Sequence, residues 1–104
     1  MDNKKYNVIY SEKFIKQLSN ILYHFKYILK NKIAAENFYK EVIDSIEKRR
    51  QYPTSFEVFK KTKEKGVNWY RIQIKNYTIF YLVKNDIMEV RRIYYSKRNF
   101  KKLI

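Results

Sequence analysis

The sequence has no cysteine, one glycine, one proline and one histidine. Without cysteine there is neither a disulfide framework nor a thiolate nucleophile, and His24 alone is too little for a zinc centre. No metal and no cofactor are expected. Phosphate-binding loops of the common nucleotide folds need several glycines, so the lone Gly66 excludes kinase-like and dinucleotide-dependent chemistry. No run of about 18 apolar residues occurs, and Met1 to Tyr10 lacks a basic region followed by a long apolar run. Neither a membrane span nor a signal peptide is expected, and a cytoplasmic protein with no membrane partner is. Acids are scarce too: 10 Asp and Glu face 24 Lys and Arg, a formal net charge of +14. Such an excess repels itself and suits polyanionic or acidic partners.

What is present is a core-forming composition. Hydrophobic residues make up 45% and aromatics 18% of 104 residues, enough for one folded domain and too short for two. Lys5 to Tyr10 alternates, with Tyr6, Val8 and Tyr10 on one face, and predicts a strand. Ser11 can cap a helix whose stripe is Phe14, Leu18, Ile21 or Leu22, Phe25 and Ile28. Asn31 serves as stop and next cap. Ala34, Phe38, Val42 and Ile46 then recur every four residues, with Ala35, Tyr39 and Ile43 alongside, until Tyr52-Pro53 ends this second helix.

From Thr54 to Lys65 the sequence reads as a charged loop closed by Gly66. Three strand-like runs follow, Val67 to Lys75, Tyr77 to Val83 and Ile87 to Tyr95, with joins short enough for hairpins. Ser96 can cap a last short helix carrying Phe100, Leu103 and Ile104. The order β-α-α-β-β-β predicts an α+β domain: an antiparallel sheet with a helical hairpin on one face and the other face free.

That free face carries the candidate chemistry. Burying Ile72 and Ile74, at about 2 kcal/mol each, sends Arg71, Gln73 and Lys75 to the opposite side with Trp69. The last strand supplies Arg91 and Arg92, and the segment after it Lys97, Arg98, Lys101 and Lys102, with no acid after Glu89. Tyr77, Tyr81, Tyr94 and Tyr95 interleave with these cations, so a surface that neutralises phosphate or carboxylate and stacks bases is expected. Glu41, Asp44 and Glu47 alternate with Lys40, Lys48 and Arg49 and read as surface charge pairing rather than a catalytic acid pair. His24 reads as a solvated helix residue.

The opening strand Tyr6-Asn7-Val8-Ile9-Tyr10-Ser11, the helix ending through Ile46 to Tyr52-Pro53, the run from Trp69-Tyr70-Arg71-Ile72 to Tyr77-Thr78-Ile79-Phe80-Tyr81, and the closing Arg92-Ile93-Tyr94-Tyr95-Ser96-Lys97-Arg98 together resemble the RelE/ParE superfamily. These are the toxins of type II toxin–antitoxin modules, and the likeness spans nearly the whole chain. It implies growth inhibition and a cognate antitoxin that wraps the toxin in a hetero-oligomer. Two activities occur in such folds: inhibition of DNA gyrase by binding, as in ParE-like members, and metal-independent cleavage of mRNA in the ribosome, as in RelE-like members. The long hairpin, with helices of roughly 17 and 20 residues by their periodicity, favours the ParE side. A toxin relative that only binds nucleic acid is a further alternative.

For cleavage, the resemblance implies Arg71, Tyr95, Lys97 and Arg98 as the catalytic set. Gln73 and Thr78 stand where cleaving members carry cations. For target or antitoxin binding it implies Trp69, Arg71, Lys75, Arg91, Arg92, Tyr94, Tyr95, Lys97 and Arg98. The antitoxin is expected to lay an acidic peptide with apolar anchors over the sheet-face cations.

Overall fold

The computed structural model describes residues 5–97. Its first strand, β1 (Asn7–Tyr10), leads through Ser11 into α1 (Glu12–Tyr23). Ser11 caps the helix: its hydroxyl accepts from the Phe14 N–H at 3.0 Å and donates to the Arg91 carbonyl at 2.8 Å. Phe14 and Leu18 are buried as the stripe predicts.

The stripe then changes phase. His24–Ile28 form a π-helical turn in which the Leu29 N–H reaches the His24 carbonyl at 2.9 Å. This wider turn keeps Phe25 packed on Phe38 and Tyr77 but throws Ile28 outward, correcting its expected place in the core. Lys30, in the left-handed region at φ 51°, reverses the chain. Asn31 then caps α2 (Lys32–Arg49), its side-chain oxygen accepting from the Ala34 N–H at 3.0 Å. Ala35, Phe38, Val42 and Ile46 are its buried residues.

The meander forms as read, as β3 (Asn68–Ile74), β4 (Tyr77–Lys84) and β5 (Ile87–Tyr95). Two-residue joins close both hairpins, with Lys75 at φ 50° and Asn85 at φ 55°. Thr54 to Lys65 is not wholly loop, because Lys60–Lys61 pair with β3 as a short edge strand, β2. The sheet order is β1-β5-β4-β3-β2, and β1 runs parallel to β5. Lysines at an edge discourage pairing with another chain. The expected C-terminal helix lies outside the described residues.

Tyr70, Ile72, Ile74, Ile79, Tyr81, Val83, Met88, Val90 and Ile93 turn toward the hairpin and form the core with Phe14, Leu18, Phe38, Val42 and Ile46. Tyr81 is fully enclosed; its hydroxyl donates to the Pro53 carbonyl at 2.7 Å and accepts from Arg49 Nη1 at 2.9 Å. Burial raises its pKa above the ordinary 10.0, with the Arg49 hydrogen bond pulling the other way. The folded state therefore keeps Tyr81 protonated where the unfolded chain ionises. Its contribution is fully present below pH 10 and lost as pH rises through the raised value. Tyr81→Phe is expected to cost about 1–3 kcal/mol at neutral pH by orphaning the Pro53 carbonyl. The same variant should flatten the fall in stability above pH 10, read by urea denaturation across pH.

Candidate functional site

The face of the sheet opposite the hairpin is built in rows. Trp69, Leu82 and Glu89 face one another across the three long strands, then Arg71, Phe80 and Arg92, then Gln73, Thr78 and Tyr94. One irregularity sets its charge. Between Phe80 and Tyr81 the register with β5 shifts, so Phe80 pairs with Arg92, Tyr81 pairs with Val90, and Arg91 is an extra residue. Two residues opposing one in such a bulge place consecutive side chains on the same side, and both arginines leave the core face. The bulge is held from α1 and the strand entrance: the Ser11 N–H donates to the Val90 carbonyl, Ser11 Oγ to the Arg91 carbonyl, and Gln17 Oε1 accepts from the Ile93 N–H.

This face is not free, contrary to the expectation. The Phe59 N–H donates to the Trp69 carbonyl, which folds the preceding loop back so that the Phe59 ring lies 5.1 Å from Phe80. Phe80 and Tyr94, 6.3 Å apart, are buried beneath it. The anticipated stacking aromatics are accordingly elsewhere. Tyr81 and Tyr94 are enclosed, and Tyr77 and Tyr95 meet at 5.7 Å on the helix side.

Several cations are answered by the protein's own acids. Arg91 pairs with Glu89 at 2.6 Å while its guanidinium sits 5.7 Å from the Trp69 ring. Lys75 leans around the hairpin to Glu41 on α2 at 3.7 Å, so it does not join the arginines. Arg71 and Arg92 remain, in one row across Phe80. Arg71 is exposed and lies 5.0 Å over Phe59. Arg92 donates through Nη1 to the Arg91 carbonyl at 2.8 Å, and its enclosed Nε has no hydrogen-bond partner. Two guanidinium groups in one row can receive one phosphate or a pair of carboxylates.

Beside them lies a group of uncharged polar side chains from β3, β4 and the end of β5. Gln73 Nε2 donates to Ser96 Oγ at 2.8 Å, Ser96 and Thr78 hydroxyls meet at 2.8 Å, and Thr78 Oγ1 donates to Gln73 Oε1 at 2.8 Å. The three form a closed, neutral ring that satisfies itself. It fixes the end of β5, where the Ser96 N–H also reaches the Asn76 carbonyl at 2.7 Å, and points the chain onward at exposed Lys97. Its signal in the sequence was the pair of uncharged polar residues, Gln73 on β3 and Thr78 on the otherwise apolar run of β4. Of the expected catalytic set, Arg71 and Tyr95 stand on opposite faces, and Arg98 lies outside the described residues. Among the described residues no three His, Asp or Glu side chains converge as a metal site.

This fold has relatives among solved structures. A chain titled "Chromosomal ParDE TA system from P. aeruginosa" superposes with a TM-score of 0.67 over 92% of this chain and all of its own, at 14% identity. A chain of the archaeal RelE–RelB complex from Pyrococcus horikoshii OT3 superposes with a TM-score of 0.54, at 17% identity, over 91% and 99% of the two chains. At such identities these similarities show the fold. The family model described as ParE toxin of type II toxin-antitoxin system, parDE, matches residues 8–100, and the chain belongs to that family. Among curated proteins none matches in sequence.

Proposed function

We propose that this protein arrests bacterial growth by binding and inhibiting DNA gyrase, and that a cognate antitoxin neutralises it. The observation that carries this reading is the chemistry around Arg71. Cleaving RNA through its own 2′-hydroxyl needs a group that moves a proton beside the group that holds the phosphate. Here Tyr95 is on the far face, and the neighbouring Gln73, Thr78 and Ser96 hydrogen-bond one another in a neutral ring. Arg71 and Arg92 are thus equipped to hold an anion and not, with their described neighbours, to relay protons. Binding without chemistry suits a gyrase inhibitor.

The orphaned Arg92 Nε is the feature that speaks for the second reading, ribosome-dependent mRNA cleavage, since a phosphate could satisfy it. Two assays separate the readings. Added to purified gyrase, relaxed plasmid and ATP, the protein should block supercoiling or trap cleaved DNA, and translation extracts should show no newly cut messages. Messages cut at defined codons, with gyrase unaffected, would replace the first reading by the second.

A further inference from the structure

The outer face of the sheet has a second feature, at the end where β4 turns into β5. Ile9, Glu89, Leu82 and Trp69 form one row across β1, β5, β4 and β3, and beside that row opens a hollow of about 470 Å³. Its apolar lining is Ile9, Val67, Leu82 and Ile87. The turn before β3 holds Val67 in place: Thr62 Oγ1 donates to the Val67 carbonyl at 2.6 Å, and the Val67 N–H donates to the Glu64 carbonyl at 3.1 Å. Gly66, at φ 84°, takes the left-handed position that this turn needs. Two ion pairs complete the lining, Glu64 with Lys84 at 2.7 Å and Glu89 with Arg91 at 2.6 Å. Two acids thus stand against two bases, and the hollow carries no net charge.

We infer that this hollow takes a bulky apolar side chain of the target protein, while the arginine row takes an acidic side chain of the same segment. The inference rests on the gyrase reading above and adds to it the anchor that selects the target. The volume falls within the about 300–1,000 Å³ of ordinary ligand sites, ample for one large side chain. An apolar pocket ringed by charged pairs that keep water out is the usual setting of an interface hot spot. Trp69 borders both subsites, next to Leu82 in the row and two residues from Arg71 on β3.

Charge decides between the classes of partner. A nucleic acid lying along the face would carry its phosphates past Glu64 and Glu89, where no surplus cation holds them. A polypeptide offers both groups at once. Leu82 and Lys84 stand two and four residues along β4 from Phe80, about 7 to 13 Å at the rise of a strand, so two to four residues of extended partner separate its apolar anchor from its acid. Phe59 already occupies the apolar centre of the face above Phe80, which leaves the hollow as the apolar contact at this end.

The test uses the full chain with purified gyrase, relaxed plasmid and ATP, and reads the concentration that halves supercoiling. Ile9 and Ile87 are 44% and 41% exposed, so Ile9→Ser and Ile87→Ser leave the fold intact, checked by circular dichroism. Each should raise the half-inhibitory concentration about tenfold, whereas Ile33→Ser, on the far side of the molecule, should change it less than about twofold. A photo-crosslinking residue in place of Lys84 should capture a gyrase subunit. Wild-type inhibition retained in full by both variants would overturn the inference and leave the gyrase reading standing, as would capture of plasmid DNA in place of gyrase. If both variants inhibit fully but lose affinity for the polypeptide of the adjoining reading frame, the hollow serves the antitoxin and the inference is wrong. A wild-type chain without effect on gyrase would end the gyrase reading and this inference with it.

Discussion

Phe38→Ala is expected to lower the unfolding free energy by about 3–5 kcal/mol. Phe38 is 2% exposed, and its ring lies 5.4 Å from Phe25 and 5.1 Å from Tyr77, so one side chain joins α2, the π turn and β4. Truncation leaves a hollow where three elements meet, and none can close on it without separating from another. Domains of this size are commonly stable by about 5–15 kcal/mol, so the loss is about a fifth of the total or more. Urea denaturation measures it. Ile33→Ala, on the same helix but 70% exposed, is the control and should stay within about 0.5 kcal/mol. A Phe38→Ala cost near that of the control would mean that the hairpin does not depend on this junction.

Arg71→Glu is expected to abolish growth inhibition while leaving the fold intact. Arg71 is exposed on β3, and its backbone carbonyl, accepting from Arg49 Nη1 at 3.0 Å, is untouched by the change. Removing a charge from a desolvated pair costs about 2–5 kcal/mol, or roughly 30-fold and more in affinity, and reversal adds repulsion. Growth after induced expression and gyrase supercoiling with purified protein should both show the loss. Arg71→Lys, which keeps the charge but not the planar fork, should fall between. Undiminished toxicity of a folded Arg71→Glu protein would remove the arginine row from the target contact.

The fold was legible because its signals were local. Ser11 and Asn31 cap the helices they precede, the four-residue spacing from Phe38 to Ile46 marks a buried face, and Lys75-Asn76 and Asn85-Asp86 turn the hairpins. Long-range effects hid the rest. Nothing around Lys60 announces a strand, since β2 exists only because β3 offers an edge to pair with. Ile28 keeps helical spacing in the sequence, but a single π turn takes it out of phase.

The candidate site was legible in its cations and not in its aromatics. Arg71 follows from alternation with Ile72 and Ile74, and it faces outward as that alternation requires. Tyr81 and Tyr94 alternate equally well, but Arg49 and Pro53, from a distant segment, bond the hydroxyl of the first, and the Phe80 ring, itself under Phe59, packs near the second. Lys75 illustrates the same limit, since Glu41 draws it aside from across the fold.

The extra residue at Arg91 makes the strand's two ends answer to different rules. Before it, even-numbered positions such as Met88 and Val90 point inward; after it, odd-numbered Ile93 and Tyr95 do. Removing the codon for Arg91 would restore simple alternation with Ile93 still facing inward, and would leave the outer surface one arginine poorer. The electrostatic identity of this surface is thus stored in a count of residues as much as in their kind.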